Sequence, residues 1–451
     1  MNKDFTKIDL KNYLKFVFPT IISMVFISIY TMTDGIFVSN RLGSTALAAL
    51  NITIPAFNFI FGSIFMVVIG ASAIIGINLG AKDIEQANKN FSSMIYVLVF
   101  ICFFYLFIGI FFTDQIVRIL GAKGEMIPYA KDYLFILFVG SFCFVGKLFT
   151  EVFLRIEGKF NLSLAATIAG GLVNILFDYI FIYSLDMGIK GAAFGTILGA
   201  FTNGLVGIIY FGFKSSKIRF ILTKIDFGFI RQALVNGSSE MVSSISAGIT
   251  TFIFNMVLLN LVGELGVSSI SIILYINFLL SSIFIGIATG IQPLISYNFG
   301  ANLIENINKL LKISIIIIGT ISAFSFIVCN IFRYQLISLF ETKNAELIKM
   351  TAEAFKIFSF TFFINGFNIL GSGFFTALNN GKYSAIISFS RSIIFKIILV
   401  LILPYLMGLK GVWFATPISE CLCLCMTVYF YKKVKNRELN TNSPKINFLI
   451  G

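Results

Sequence analysis

The chain has 451 residues, of which 57% are hydrophobic and only 12% charged, and its mean hydropathy is +0.93. Soluble domains carry about 25% charged residues, so a soluble enzyme is excluded and a polytopic membrane protein is indicated. The net charge of +13 raises nucleic-acid binding only until the basic residues are placed, because they follow loop parity.

The chain opens with "MNKDFTKIDLKNYLKF", where charges alternate with apolar residues and no signal-peptide cleavage pattern follows. This reads as an amphipathic helix leading into a first span. From there, apolar windows of about twenty residues or more recur to the end of the chain. Twelve are expected, near 12–38, 46–78, 92–117, 128–153, 162–184, 191–213, 231–262, 266–297, 311–333, 352–377, 384–406 and 411–432. With the N-terminus inside, the inner segments hold Lys3, Lys7, Lys11 and Lys15, Lys82 and Lys89, Arg155 and Lys159. They go on with Lys214, Lys217, Arg219, Lys224 and Arg231, Lys309 and Lys312, Lys382, and the tail from Lys432 to Lys445. The outer loops hold far fewer, among them Arg41, Lys123 and Lys410. This is the positive-inside asymmetry, and it places both termini in the cytoplasm with no nucleic-acid partner.

The second half restates the first. "NLGAKDIEQAN" from Asn78 returns as "NFGANLIENIN" from Asn298, 220 residues on. At the same shift "RLGSTALAAL" meets "LVGELGVSSI", Gly43 falling on Gly263, and "GIKGAAFGT" meets "GLKGVWFAT". Six spans per copy is an even number, so both copies enter the membrane in one orientation, as in parallel-repeat transporters. The fold class expected is therefore all-α integral membrane, with twelve helices in two pseudo-symmetric lobes. The divisions are an N-lobe at 1–213, a cytoplasmic linker at 214–230, a C-lobe at 231–435 and a cytoplasmic tail at 436–451.

Ionisable groups inside spans are costly, at about 2.5–3.5 kcal/mol on insertion scales, and tend to mark function. They are Asp34, Lys147, Glu151, Asp178, Glu240, Arg391, Lys396 and Glu420. The long ones near inner ends can snorkel to the surface. Asp is too short to do so, which singles out Asp34 in "YTMTDGIFV" and Asp178 in "NILFDYIF". Counting from the outer ends of their helices puts Asp34, Asp178, Tyr133 and Thr196 at similar depth in one lobe, about 6–9 Å below the outer surface. Asn174 is one turn from Asp178 on the same face. Two carboxylates, an amide, a phenol and a hydroxyl would suit reversible capture of H⁺ or Na⁺, since two neighbouring carboxylates in low dielectric cannot both stay ionised. The competing reading has either Asp satisfied by backbone donors and serving helix packing. There is no His in the chain, so any proton relay rests on carboxylates or Tyr.

The C-lobe does not repeat this cluster: 220 residues after Asp34 and Asp178 stand Phe254 and Ile398. Glu240, in "NGSSEMVSS", is its main buried acid and a candidate for cation or substrate binding. Of the six Cys, "CLCLC" looks metal-like, yet only Cys421 and Cys425 share a helix face and no His completes a set. Buried thiols acting as small hydrophobes are expected, with no metal beyond the coupling ion and no cofactor. Most of the 54 Phe would face lipid or neighbouring helices. Met24, Met32, Phe57, Phe61 and Phe278 are placed to line a cleft, where rings suit flat cations.

Taken in order, these pieces resemble the multidrug and toxic compound extrusion (MATE) transporters. The motifs are "TDGIFVSNRLG", "NLGA", "NILFDYIF", "GIKGAAFGT" and "NGSSEMV", and the resemblance spans nearly the whole chain. It implies a V-shaped pair of bundles that alternates between outward- and inward-open states. It also implies multidrug efflux of amphipathic organic cations in exchange for H⁺ or Na⁺, from a monomer in the bacterial inner membrane. The family's N-lobe cation site carries over to Asp34, Asn174, Asp178, Thr196 and Tyr133, and its helix-7 acid to Glu240. Some branches add an acid in helix 10, which "FFINGFNIL" lacks, and this favours the N-lobe as coupling site. A flippase for lipid-linked oligosaccharide is the alternative within the wider superfamily, and it would need a cationic central cavity. An integral-membrane enzyme finds no catalytic constellation here.

Overall fold

The computed structural model describes residues 3–213, 217–340 and 344–438. The beginning of the expected linker (214–216) and most of the expected tail (439–451) lie outside the described residues. Among the described residues there is helix and no strand.

Twelve membrane-length helices are present when each of two bent pairs counts as one span. They are α1 (Leu10–Gly43), α2 (Thr45–Gly80), α3 (Ile84–Ile119), α4 (Met126–Val139 with Ser141–Ile156), α5 (Phe160–Ser184) and α6 (Ile189–Phe213). The second set is α7 (Phe227–Val262), α8 (Glu264–Gly300), α9 (Ile304–Ile331), α10 (Ala345–Phe358 with Thr361–Ala377), α11 (Gly381–Met407) and α12 (Leu409–Asn436). Helix is what an apolar chain must form in hydrocarbon, where every backbone polar group needs an internal partner.

Several helices outrun the apolar windows by a turn or more, because capped polar residues extend them. Asp9 accepts from Asn12 N at 2.8 Å, Asp83 from Gln86 N at 2.9 Å and Asp226 from Phe229 N at 2.9 Å. Each is an N-cap satisfying an orphan donor. α7 thus starts at Phe227 rather than 231.

The repeat is visible in backbone geometry. The α1–α2 and α7–α8 turns pivot on Gly43 (φ 81) and Gly263 (φ 70), 220 residues apart. Lys82 (φ 65) and Asn302 (φ 57) form a second pair at that spacing. α4 bends by 54° at Gly140 and α10 by 51° around Ser359 and Phe360, again at equivalent places.

The lobes meet along α1 and α2 against α7 and α8, at the face that carries the termini. A Cβ on Gly70 would overlap the Ala233 carbonyl, and one on Gly237 would overlap that of Met66. One turn-set further down, Gly80 and Gly300 do the same with Tyr297 and Ile77. Backbones at this distance leave no passage. The seam is finished by the N-terminal residues: Phe5 packs edge-on to Phe16 (5.5 Å) and to Tyr297 of the other lobe (5.4 Å), and its carbonyl accepts from Asn298 Nδ2 at 2.9 Å. The link between lobes runs back along the N-lobe. Its amides at Lys217, Ile218, Arg219, Ile221 and Asp226 donate to side-chain oxygens of Glu157, Asn88, Ser92 and Ser93.

Candidate functional site

α1, α5, α4 and α6 bring the expected N-lobe residues together. Asp178 is fully buried, and Asn174, one turn earlier, is 2% exposed. Asn174 Nδ2 donates to Asp178 Oδ2 at 3.5 Å. The Asp34 carboxyl of α1 is an electrostatic neighbour of both Asp178 and Asn174. Tyr133 of α4 lies in the field of the two carboxylates, with its phenol in reach of the Thr196 hydroxyl. Thr196 itself donates to Ala192 O at 3.0 Å, so it joins the cluster through Tyr133. One oxygen each of Asp34, Asp178 and Asn174 is buried with no hydrogen-bond partner in the structure. Buried polar atoms are seldom left so, and orphan acceptor oxygens on three neighbouring residues are what a proton or small cation would satisfy.

The cluster is deeper than counting suggested. Asp34 stands nine residues before the end of α1, and Tyr133 and Thr196 each seven residues into their helices. That is roughly 10–14 Å from the helix ends. The reason is that α1, α4 and α6 each run past their apolar windows.

Why α5 and α6 hold Asp178 here is a matter of glycines. Gly195 puts its bare Cα against Asp178 Oδ1, and Gly199 does the same for Asn174, so that a Cβ at either position would overlap them. After Asp178 the helix widens into a π turn, Ile180–Ser184, a feature often found at functional sites.

Three further residues were not assigned roles from sequence. Lys147, expected to snorkel, instead donates to Tyr30 OH at 2.7 Å, over the rings of Tyr30 (5.4 Å) and Phe61 (5.9 Å). It lies in the field of Asp34 and Glu151. Glu151 is 3% exposed, and its Oε1 accepts from Asn203 Nδ2 at 2.9 Å and Thr167 Oγ1 at 3.3 Å. Arg155 Nε donates to the Glu151 carbonyl at 2.6 Å. The signal available was spacing: 147, 151 and 155 recur every four residues on one face of α4.

Glu240 sits apart, on α7 in the other lobe, where the Arg391 guanidinium acts on it. Phe61 is taken up by Lys147 and by stacking on Phe65 at 5.8 Å. The thiol expectation needs correction, since Cys421 and Cys425 are exposed on the surface of α12 and only Cys423 of the three is buried. A cavity of about 560 Å³ opens between α7 and α8 at the end away from the termini, lined by Phe252, Asn255, Met256, Leu259 and Glu264.

The whole chain compares with known proteins as follows. The MatE family model matches twice, over residues 19–180 and 241–402. The chain belongs to the MatE family. It is thus a transporter and not an enzyme. Similar relatives include the multidrug export protein MepA of Staphylococcus aureus (strain bovine RF122 / ET3-1), 27% identical over 95% of this chain and 94% of the relative. MepA of Staphylococcus haemolyticus is likewise 27% identical over the same shares. Among solved structures, an outward-facing multidrug resistance MATE transporter of the MOP superfamily aligns with TM-score 0.86 at 24% identity, covering 96% of this chain and 97% of that one. A MOP superfamily transporter from Pyrococcus furiosus, described as having a binding pocket of reversed polarity, aligns with TM-score 0.86 at 25% identity over 97% and 98% of the two chains. These MatE folds share the two-lobe arrangement described above.

Proposed function

We propose that this MatE protein is a secondary active multidrug efflux transporter that exchanges amphipathic organic cations for H⁺ or Na⁺ at the Asp34–Asp178 pair. The observation that carries this reading is the set of partnerless oxygens on Asp34, Asp178 and Asn174, enclosed in one lobe of a molecule shut at its terminal face. With the termini in the cytoplasm of a bacterial inner membrane, as the basic residues favour, closure at the terminal face supports reading this as the outward-open state, and we propose that the protein acts as a monomer. A proton or Na⁺ entering from outside would occupy the pair, change how α1 packs on α5, and release substrate. Return through an inward-open state would deliver the ion to the cytoplasm. A membrane potential supplies about 2.3 kcal/mol per charge per 100 mV, enough for more than tenfold accumulation.

The cavity beside Glu264 supports cationic, partly apolar substrates. Its α7 residues Asn255, Phe252 and Leu259 lie at helical spacing from Gly237 and Ser244, which meet α2. The flippase alternative is disfavoured because Lys147 and Arg391, candidate cations for a pyrophosphate, each lie in the field of acids.

The test is transport of ethidium in proteoliposomes under a proton gradient and a sodium gradient imposed separately. The proposal expects one gradient to drive transport, and Asp34→Asn and Asp178→Asn each to abolish it. Full coupling in Asp178→Asn at normal protein levels would overturn it.

A further inference from the structure

The two lobes pack equivalent helices in opposite ways. In the N-lobe, Gly171 of α5 lies against Phe26 and Tyr30 of α1, close enough that a Cβ would overlap both rings. The residues 220 further on are Arg391, Ser246 and Thr250. Where one lobe has a glycine beside two rings, the other has a long side chain beside two small hydroxyls.

Local structure follows this exchange. Arg391 lies in a five-residue π turn of α11, Ser390–Ile394. A π turn loosens the regular backbone ladder, and here Thr250 Oγ1 donates to Ser392 O at 2.9 Å. Ser246 is fully buried, with its hydroxyl turned back to the Val242 carbonyl of its own helix. By the 220-residue offset, Arg391 stands opposite small hydroxyl residues at the place where the N-lobe has rings.

There it meets a buried acid of another helix. Arg391 Nε is 3.7 Å from Glu420 Oε1 of α12, and the Glu420 side chain is 3% exposed. The other Glu420 oxygen accepts from Asn368 Nδ2 of α10 at 2.7 Å. Glu240 of α7 lies farther off, within the electrostatic reach of Arg391, while Lys396 lies in the field of Glu420.

The charge balance of the lobes differs in consequence. The span interiors of the N-lobe hold Asp34, Asp178 and Glu151 against Lys147, three acids to one base, with Arg155 at the inner end of α4. Those of the C-lobe hold Glu240 and Glu420 against Arg391 and Lys396, two to two. Buried carboxylates persist when paired, and only the N-lobe keeps some without a resident base.

We propose that the Arg391 guanidinium is a built-in counter-cation of the C-lobe, filling with a tethered side chain the place between Glu240 and Glu420 where a free monovalent cation would otherwise bind. It follows that a coupling ion is accepted in the N-lobe alone. That corollary rests on the functional reading of Asp34 and Asp178; the occupancy of the C-lobe by Arg391 does not.

The experiment measures binding of radiolabelled Na⁺ to detergent-purified protein in the Asp178→Asn background, which removes the N-lobe pair from the signal. The parent is expected to bind no saturable Na⁺. Adding Arg391→Gln is expected to create a saturable site, which Glu240→Gln removes and Arg391→Lys does not create. No gain of Na⁺ in the Arg391→Gln protein would overturn the proposal. Saturable Na⁺ in the Asp178→Asn parent that Glu240→Gln removes would also overturn it, since the C-lobe would then bind with Arg391 in place. Saturable Na⁺ that depends on Asp34 instead would count against the N-lobe pair and leave the comparison between variants to decide on Arg391. If Arg391→Gln folds poorly, its melting temperature in solubilised membranes is compared in NaCl and choline chloride. Stabilisation by Na⁺ alone in the Asp178→Asn/Arg391→Gln protein, absent from the Asp178→Asn parent and from Asp178→Asn/Arg391→Lys, supports the proposal, and equal melting in both salts overturns it. The charge-neutral pair Glu420→Gln/Arg391→Gln, measured the same way, is expected to retain the Na⁺ effect through Glu240, and its loss there would count against the proposal.

Discussion

Asp178 Oδ1 rests directly against the Cα of Gly195, one helix over. The carboxylate that the proposed function needs is thus positioned by the absence of a side chain. Gly195→Ala should displace the Asp178 carboxylate while removing no polar group from the chain. Overpacking of this kind costs about 1–3 kcal/mol. The expected outcome is a modestly lowered melting temperature with a disproportionate loss of gradient-driven ethidium transport. Gly204→Ala serves as the control, since it lies in the same helix against α4 backbone rather than against Asp178. Equal loss of transport in both would remove the special role of Gly195.

Lys147 is the base nearest the carboxylate pair, and it is held by Tyr30. Lys147→Met would leave Asp34 and Glu151 without it. Breaking a buried charge cluster by deleting one partner costs about 3–5 kcal/mol. A large drop in melting temperature is expected, with partial recovery in Lys147→Met/Glu151→Gln. Recovery would show that the charge, rather than the shape of the side chain, is what matters.

Asn203 Nδ2 gives the Glu151 carboxylate its shortest hydrogen bond. Asn203→Ala should destabilise by about 1–3 kcal/mol, the cost of a buried acceptor left unmet. Denaturation of the purified protein followed by fluorescence would check this. Asn203→Asp should be worse, because it sets a second carboxylate against the first.

Phe5 closes the terminal face against Tyr297. Truncating a buried Phe costs about 3–5 kcal/mol, and here the cost falls on the state in which the lobes meet at that face. Phe5→Ala should therefore shift the population toward opening there. Spin labels on Ser238 of α7 and Gln86 of α3 would report it as a longer inter-lobe distance component. An unchanged distance distribution would mean that the glycine contacts alone hold the seam.

Much of this was legible in the sequence. The offset of 220 located turns whose backbone angles match in pairs, because a left-handed turn demands glycine or a tolerant residue at both copies. Asp34 and Asp178 could be paired by depth, because a short acid inside an apolar run has nowhere else to go. Lys147 could not be placed this way. Its helix was taken to end near 153, which left it one or two turns from the surface, whereas α4 continues to Ile156 and turns Lys147 inward to Tyr30. The exchange of Gly171, Phe26 and Tyr30 for Arg391, Ser246 and Thr250 was equally hidden, since each residue is unremarkable alone and only packing shows that they belong together. The five residues of the N-lobe cluster were readable singly. That Gly195 and Gly199 hold them was not, because a helix-packing glycine and a site-shaping glycine look alike in one sequence.

The stretch from Lys217 to Asp226 has a bearing on synthesis. Its amides are met by oxygens of Asn88, Ser92, Ser93 and Glu157, all of them made before it. As a chain leaves the ribosome, domains tend to fold in order from the N-terminus. The first half can accordingly seal its own trailing segment before any of α7 exists, and Asp226 then presents a ready cap to the amide of Phe229. The second half is begun from a finished surface, so a nascent chain arrested shortly after Asp226 should already resist protease as a unit.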